Sequence, residues 1–418
     1  MGKIVKFVLA ISVLFFVGCG SLDKPNNEQV VGGEVVVDLD GNSIKASLIA
    51  ARTPGVDENT TVYGYKAYKI PYTTTDEEGN SIAVSGLMVV PVGLPAIVYD
   101  FLGLSMVSDS HGTIFPNAEA PTVIAGTNNA PDGSSIILTS LAGFVTLQAD
   151  YIGFGDSLEH YHPFVLKKSL ANATVDFIKA AKIFAVNNAI NLNGQLFITG
   201  YSEGGYAALA TLEKIEKEAE LNVTMAAPMA GPYDVNLTAF GVLSEDNLPV
   251  PSFMADVGYS YALAYDEDVA SIINEPYASK LETLFNGDFN RTQIDAELTT
   301  VTKGIEPNGL FNLTFVNDFF INPNNWFRQA VVENNVHEWG PQTIVKLVHC
   351  QGDEVIPFAI SQAAEATMDD YNATDVSIIP VEVALGLPGP VGHSDCGPMA
   401  YSVTANIFAQ ERNATIGY

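Results

Sequence analysis

Ser202 stands in Gly200-Tyr201-Ser202-Glu203-Gly204, a G-x-S-x-G run. The run lies between a short apolar stretch, Leu196-Phe197-Ile198-Thr199, and an Ala-rich segment from about Gly205 to Ala219 that reads as a helix. A strand that turns so abruptly into a helix needs glycine where side chains would collide, and it lifts the serine hydroxyl above the sheet edge. The helix directs its positive end at the site, favouring developing negative charge. These features predict Ser202 as a nucleophile; the plainer alternative is a Gly-rich turn with an idle serine.

A serine hydroxyl attacks only when a base takes its proton, and that base needs an orienting partner. Three histidines follow Ser202: His337, His349 and His393. His337 precedes Trp339 in a packing context, and His349 closes a strand. His393, in Pro390-Val391-Gly392-His393-Ser394-Asp395, falls in a loop between the last strand and the last helix, so it is the predicted general base. Gln351-Gly352-Asp353-Glu354-Val355-Ile356-Pro357 offers the acid: strand, Gly turn, carboxylate, then a helix start. Asp353, directly after the turn, is favoured over Glu354; its alternative role is a solvated loop carboxylate or helix cap. Cys350 lies three residues before Asp353 and Cys396 three after His393. If the acid and the base hydrogen-bond, a Cys350–Cys396 disulfide comes within reach, the alternative being two buried thiols.

The elements that must position these groups follow a legible rhythm. Alternating apolar residues from Thr61 to Tyr72 and from Ser81 to Val90 predict two antiparallel strands joined at Asp76–Asn80. Thereafter strand, loop and helix alternate, which predicts a parallel sheet flanked by helices. Its strands are Gly143–Ala149, Leu196–Thr199, Val223–Pro228, Thr343–Val348 and Val376–Val383. Its helices are Ser169–Val186, about Gly205–Ala219, about Ile360–Asp370 and about Pro398–Glu411. Residues 235–342 lose this rhythm and are too long for a structureless loop, so they read as an inserted helical cap. The core then comprises 46–234 and 343–418.

The G-x-S-x-G run, Gly352 to Pro357, Gly392-His393 and Asp150-Tyr151-x-Gly153-x-Gly155-Asp156-Ser157 together resemble the α/β-hydrolase superfamily, and more narrowly its secretory lipase branch. The resemblance covers about residues 60–418. It implies an α/β-hydrolase fold with a helical cap, and a Ser202–Asp353–His393 triad acting on a small-molecule or lipid ester. Acyl transfer also needs two backbone N–H groups for the oxyanion. One is expected from Glu203. The other is expected from Gly112 and Thr113, in a segment similar to the His-Gly-Thr of related hydrolases, with His111 structural. Asp100-Phe101-Leu102-Gly103 is the rival, since Ala96–Tyr99 reads as a third strand.

The termini and composition limit the remaining choices. Lys3 and Lys6 flank an apolar run to Val17, too short to span a bilayer, and Val17-Gly18-Cys19 resembles the lipobox of bacterial lipoproteins. This implies a leader over 1–19, lipidation at Cys19, export, and anchoring to the envelope by lipid alone, with 20–45 as a flexible tether. An ordinary signal peptide and secretion is the alternative. Eight Asn-x-Thr sequons are read as composition only. A net charge of −29 disfavours nucleic acid as a partner. No metal-ligand spacing or dinucleotide fingerprint occurs, so no metal or cofactor is expected. Aromatic residues such as Phe240, Phe253, Tyr261, Phe319 and Phe327 suit either an acyl-binding lining or the cap's own core. Three functions stay open: ester hydrolase, serine exopeptidase on the same triad, and non-catalytic ligand-binding lipoprotein.

Overall fold

In the computed structural model, runs of alternating or continuous apolar residues become strands. In chain order they are β1 (Glu34–Leu39), β2 (Gly64–Thr75), β3 (Ser81–Val92), β4 (Leu104–Ser110), β5 (Val145–Ala149), β6 (Leu192–Tyr201), β7 (Met225–Met229), β8 (Lys303–Gly304), β9 (Phe311–Asn312), β10 (Val345–His349) and β11 (Val376–Pro380). The structure describes residues 32–50, 56–128 and 133–416. The leader, Cys19 and the first part of the expected tether lie outside them.

Nine of these strands form one sheet in the order β1-β2-β3-β5-β4-β6-β7-β10-β11. β1, β2 and β3 run antiparallel to their neighbours, whereas β5, β4, β6, β7, β10 and β11 are parallel. Parallel strands must be buried on both faces, and alternation along them shows how. Leu196 and Ile198 enter one core layer and Phe197 the other. The helices Lys167–Asn187 and Glu203–Glu218 cover the first face with Phe177, Phe184, Tyr206 and Leu209. On the second face the helix His393–Ile416 sets Phe408 against Phe197, with ring centroids 4.7 Å apart.

Between β7 and β10 the chain leaves the sheet for an inserted helical region. Its main helices are Val235–Ser244, Pro251–Ala264, Leu313–Ile321 and Trp326–Glu333. Asp234, Asn312 and Asn325 cap three of them by accepting N–H bonds of the first turn, and Pro251 starts the fourth. Phe315, Phe319 and Phe327 are buried among one another in the insertion's own core.

Four sequence expectations need correction. Residues 34–45 are not tether: β1 pairs with β2, and Gly41–Ala50 is a helix. The β2 edge supplies the hydrogen bonds that a local reading of this segment could not foresee. Ala96–Tyr99 is not a strand; Val98–Leu102 is one helical turn closed by Gly103 N–H donating to Val98 O. β11 ends at Pro380, and Val381–Leu385 is a short helix. The last helix begins at His393 itself and contains Pro398 in its first turns.

Candidate active site

Ser202 follows the last residue of β6 and precedes the first of the helix Glu203–Glu218, with φ 61° and ψ −121°. A non-glycine residue held at positive φ is strained, and it persists only where its surroundings impose it. Here a side chain on Gly204 would run into the carbonyl of Ser110, and one on Gly205 into that of Met229. The glycines therefore let the turn pack between β4 and β7, and Ser202 N–H donates to Met229 O (2.9 Å).

His393 Nε2 lies 2.9 Å from Ser202 Oγ, and His393 Nδ1 lies 2.6 Å from Asp353 Oδ2. Asp353 follows β10, and its other oxygen accepts the N–H groups of Val355 (2.9 Å) and Ile356 (2.8 Å). Burial pushes this carboxyl up, but bonds from His349, His393 and Ile356 outweigh it and hold the group well below the usual carboxylate range. The row Ser202–His393–Asp353 is thus hydrogen-bonded throughout, with Asp353 and His393 both buried.

The loop carrying Asp353 and the helix start carrying His393 are tied together at several points. A disulfide joins Cys350 and Cys396, with Cα atoms 6.1 Å apart. The Glu382 carboxylate accepts N–H bonds from Gln351 (2.9 Å) and Val391 (2.9 Å). Glu354, the rival acid, accepts the His393 N–H (3.0 Å) rather than facing its ring. Tyr201 Oη donates to the His393 carbonyl (2.6 Å).

Gly112 lies beside Ser202: a Cβ there would stand 2.9 Å from Tyr201 O and 3.8 Å from Ser202 Cβ. Thr113 and Glu203 line the same cavity as Ser202. The rival segment, residues 100–103, precedes β4, where Leu104 N–H donates to Asn191 O at the start of β6. Ser202 is at the opposite end of that ten-residue strand, roughly 30 Å away, and Phe101 is exposed. That segment is therefore no part of the site. His111 is buried on Tyr151, its ring bonded to the carbonyls of Gly112 and Asp150. His337 is buried in the insertion against the Tyr233 carbonyl.

Sequence reasoning gave no role at the site to His349, which is buried, or to His162, which is partly buried. His349 reaches Asp353, and His162 reaches Glu203, whose carboxylate lies 2.8 Å from His162 Nε2. Neither carries a local signal; His162 has only its place shortly after the glycine-rich turn, where Gly153 (φ 92°) lies against the His162 backbone too closely for a side chain.

The cavity at Ser202 holds about 80 Å³ and is lined on the insertion side by Val235, Ala239, Val242, Leu243 and Val257. Val242, Phe253 and Met254 also border a wider cavity of about 520 Å³. Among the described residues no group of His, Cys, Asp or Glu is arranged to hold a metal ion, and no helix is long and apolar enough to cross a membrane.

Sheet order, inserted helices and the strand-to-helix turn at Ser202 define the α/β-hydrolase fold. A protein of Legionella pneumophila designated a hydrolase shares it, at 24% identity and TM-score 0.79 over 91% of this chain and 97% of that one. So does the rice cell wall degrading esterase LipA of Xanthomonas oryzae, at 24% identity and TM-score 0.73 over 92% and 95%. Candida antarctica lipase A superposes with 17% identity and TM-score 0.59 over 87% and 77%. The model of the prolyl oligopeptidase family matches residues 132–220. No curated protein matches the sequence.

Proposed function

We propose that this chain is a serine carboxylic ester hydrolase working through an acyl-enzyme. Ser202 Oγ attacks the ester carbonyl while His393 Nε2 takes its proton; Asp353 holds the imidazole tautomer and offsets the imidazolium charge. The N–H of Glu203, with that of Gly112 or Thr113, receives the oxyanion. His393 then returns its proton to the leaving alcohol, and water repeats the sequence on the acyl-enzyme to release the acid. The observation that carries the ester reading is the apolar lining of the cavity at Ser202, aliphatic and aromatic alike.

The match to the prolyl oligopeptidase family favours a second reading, amide hydrolysis at a peptide terminus. An exopeptidase must bind a charged amine with a carboxylate close to the nucleophile. The carboxylate adjacent to Ser202, Glu203, is buried and engaged by His162, which supports the ester. Medium-chain p-nitrophenyl esters should exceed alanyl and prolyl p-nitroanilides in kcat/KM by at least about a hundredfold, or roughly 2.7 kcal/mol of transition-state stabilisation. Ser202→Ala should abolish both turnover and phosphonate labelling. Comparable rates on an anilide would overturn the ester in favour of the peptidase. The lipidated Cys19 anchor and export rest on the leader sequence alone; a membrane-partitioned full chain released by Cys19→Ser is the expected outcome.

A further inference from the structure

Beside the nucleophile lies a second buried polar cluster that the triad does not use. His162 comes from the loop after β5, Glu203 opens the helix behind Ser202, and Asp256 projects from the insertion helix Pro251–Ala264. Glu203 is 2% exposed and Asp256 4%. Tyr151, Phe154 and Phe164 surround the His162 ring, with centroids 6.0, 4.9 and 6.1 Å away. Tyr151 packs on the cluster and Tyr259 borders it beside Asp256; burial raises both phenols above the ordinary range, so they stay neutral.

The hydrogen bonds dictate where protons sit. His162 Nδ1 is 2.9 Å from the Ile152 carbonyl, which can only accept, so Nδ1 carries a hydrogen. His162 Nε2 is 2.8 Å from Glu203 Oε1. A neutral imidazole protonated at Nδ1 would aim a lone pair at that oxygen, so a further proton must lie between the two groups. Glu203 Oε2 is buried with no hydrogen-bond partner among the described residues, which leaves His162 as the group that orients this carboxylate. Burial pushes His162 down, but the charge and hydrogen bond of Glu203 raise it further. Burial pushes Asp256 up to about 8, so near neutrality it is an acid rather than a second anion. An imidazole that shares a proton with a carboxylate is a paired arrangement that a low-dielectric pocket tolerates.

We propose that His162 is a positioning residue of the ester hydrolase site: held by the Ile152 carbonyl at Nδ1, its ring clamps Glu203 through Nε2, and with it the backbone N–H that follows Ser202. This rests on the function proposed above. The clamp acts through Glu203 on a turn held at positive φ, where the oxyanion donor must stay aimed without help from substrate. The His162 loop is also tied to the insertion, because Ser260 Oγ, on the helix whose Met254 and Val257 line the cavity, donates to the His162 carbonyl (2.6 Å).

The test compares His162→Leu and His162→Gln with the unaltered protein on p-nitrophenyl butyrate, alongside inactivation by a p-nitrophenyl phosphonate. His162→Leu should lower kcat at least about tenfold with KM within about twofold, and slow phosphonylation by the same factor, since both reactions pass through a tetrahedral oxyanion. His162→Gln, whose carboxamide can donate to Glu203, should recover to within about threefold of wild type. A folded His162→Leu with wild-type kcat, or equal losses in both variants, would overturn the proposal. Should His162→Leu not fold, imidazole nitrogen NMR on the unaltered protein decides, with the His162 signals assigned by their loss in His162→Gln. Both ring nitrogens should be protonated at pH 7.5; a single protonated nitrogen refutes the clamp. If the unaltered protein is labelled by phosphonate but cleaves no ester, the function fails while the labelling rates still judge His162.

Discussion

His349 and His393 meet on one carboxylate oxygen. Asp353 Oδ2 lies 3.2 Å from His349 Nε2 and 2.6 Å from His393 Nδ1. His349 Nε2 also faces the Ile356 carbonyl at 3.0 Å, so it must carry hydrogen, and Nδ1 accepts from Ser361 Oγ at 2.7 Å. His349 is fully buried and competes with His393 for the negative charge of Asp353.

Removing that competitor should make Asp353 a stronger partner for the His393 imidazolium. His349→Phe is expected to raise the acidic limb of the kcat/KM profile by about 0.5–1 pH unit. The sign follows from charge: a carboxylate with one donor fewer holds the imidazolium proton more tightly. An unmoved or lowered limb in a folded variant would refute this role.

Asp353→Asn keeps an oxygen to accept the Val355 and Ile356 N–H groups but presents the wrong partner to His393 Nδ1. We expect kcat to fall by about 10³–10⁴-fold with the far-UV circular dichroism unchanged. A loss smaller than tenfold would remove Asp353 from the proposed mechanism.

Asp256 makes stability fall as pH rises. Its folded value is pushed up to about 8, whereas the unfolded carboxyl releases its proton near 4, so unfolding releases a proton across about pH 4–8. His162, raised in the fold, adds stability that is complete below its unfolded value and lost as pH rises through its folded one. Asp256→Asn should therefore gain about 1–3 kcal/mol over wild type in urea unfolding at pH 8.5, and much less at pH 4.5. Parallel stability curves for the two proteins would contradict the assignment.

The Cys350–Cys396 bridge closes a span of 46 residues. Chain entropy gives it about 4 kcal/mol at 25 °C, so the double Ser variant should lose roughly that much stability. Two titratable thiols at these positions in the unreduced native protein would show the bridge to be absent.

Val242 borders both cavities near Ser202. Val242→Trp should narrow their junction and lower kcat/KM for an octanoate ester at least about tenfold relative to the acetate ester. An unchanged ratio would mean that the acyl chain does not use this junction.

How far the sequence reached depends on whether a feature is local. The turn at Ser202 is written in adjacent residues, because a side chain on Gly200 would run into the carbonyl of Gly204, four residues on, where the chain itself bends. The parallel sheet was equally legible, since burial on both faces demands continuous apolar strands such as those of β6 and β10. β1 was not, for its hydrogen bonds come from Tyr65–Lys69 on another strand. Nor was the helical turn at Val98–Leu102, where an apolar run of the same composition closes on Gly103 instead of pairing. The histidines show the division most sharply. His393 could be singled out by its order after the acid, whereas His162 gains its meaning from Glu203, 41 residues away, and His349 shares an oxygen with His393, 44 residues further on. Periodicity and turn chemistry are properties of neighbours along the chain; a buried proton shared between two side chains is a property of distance, and only the folded protein sets that.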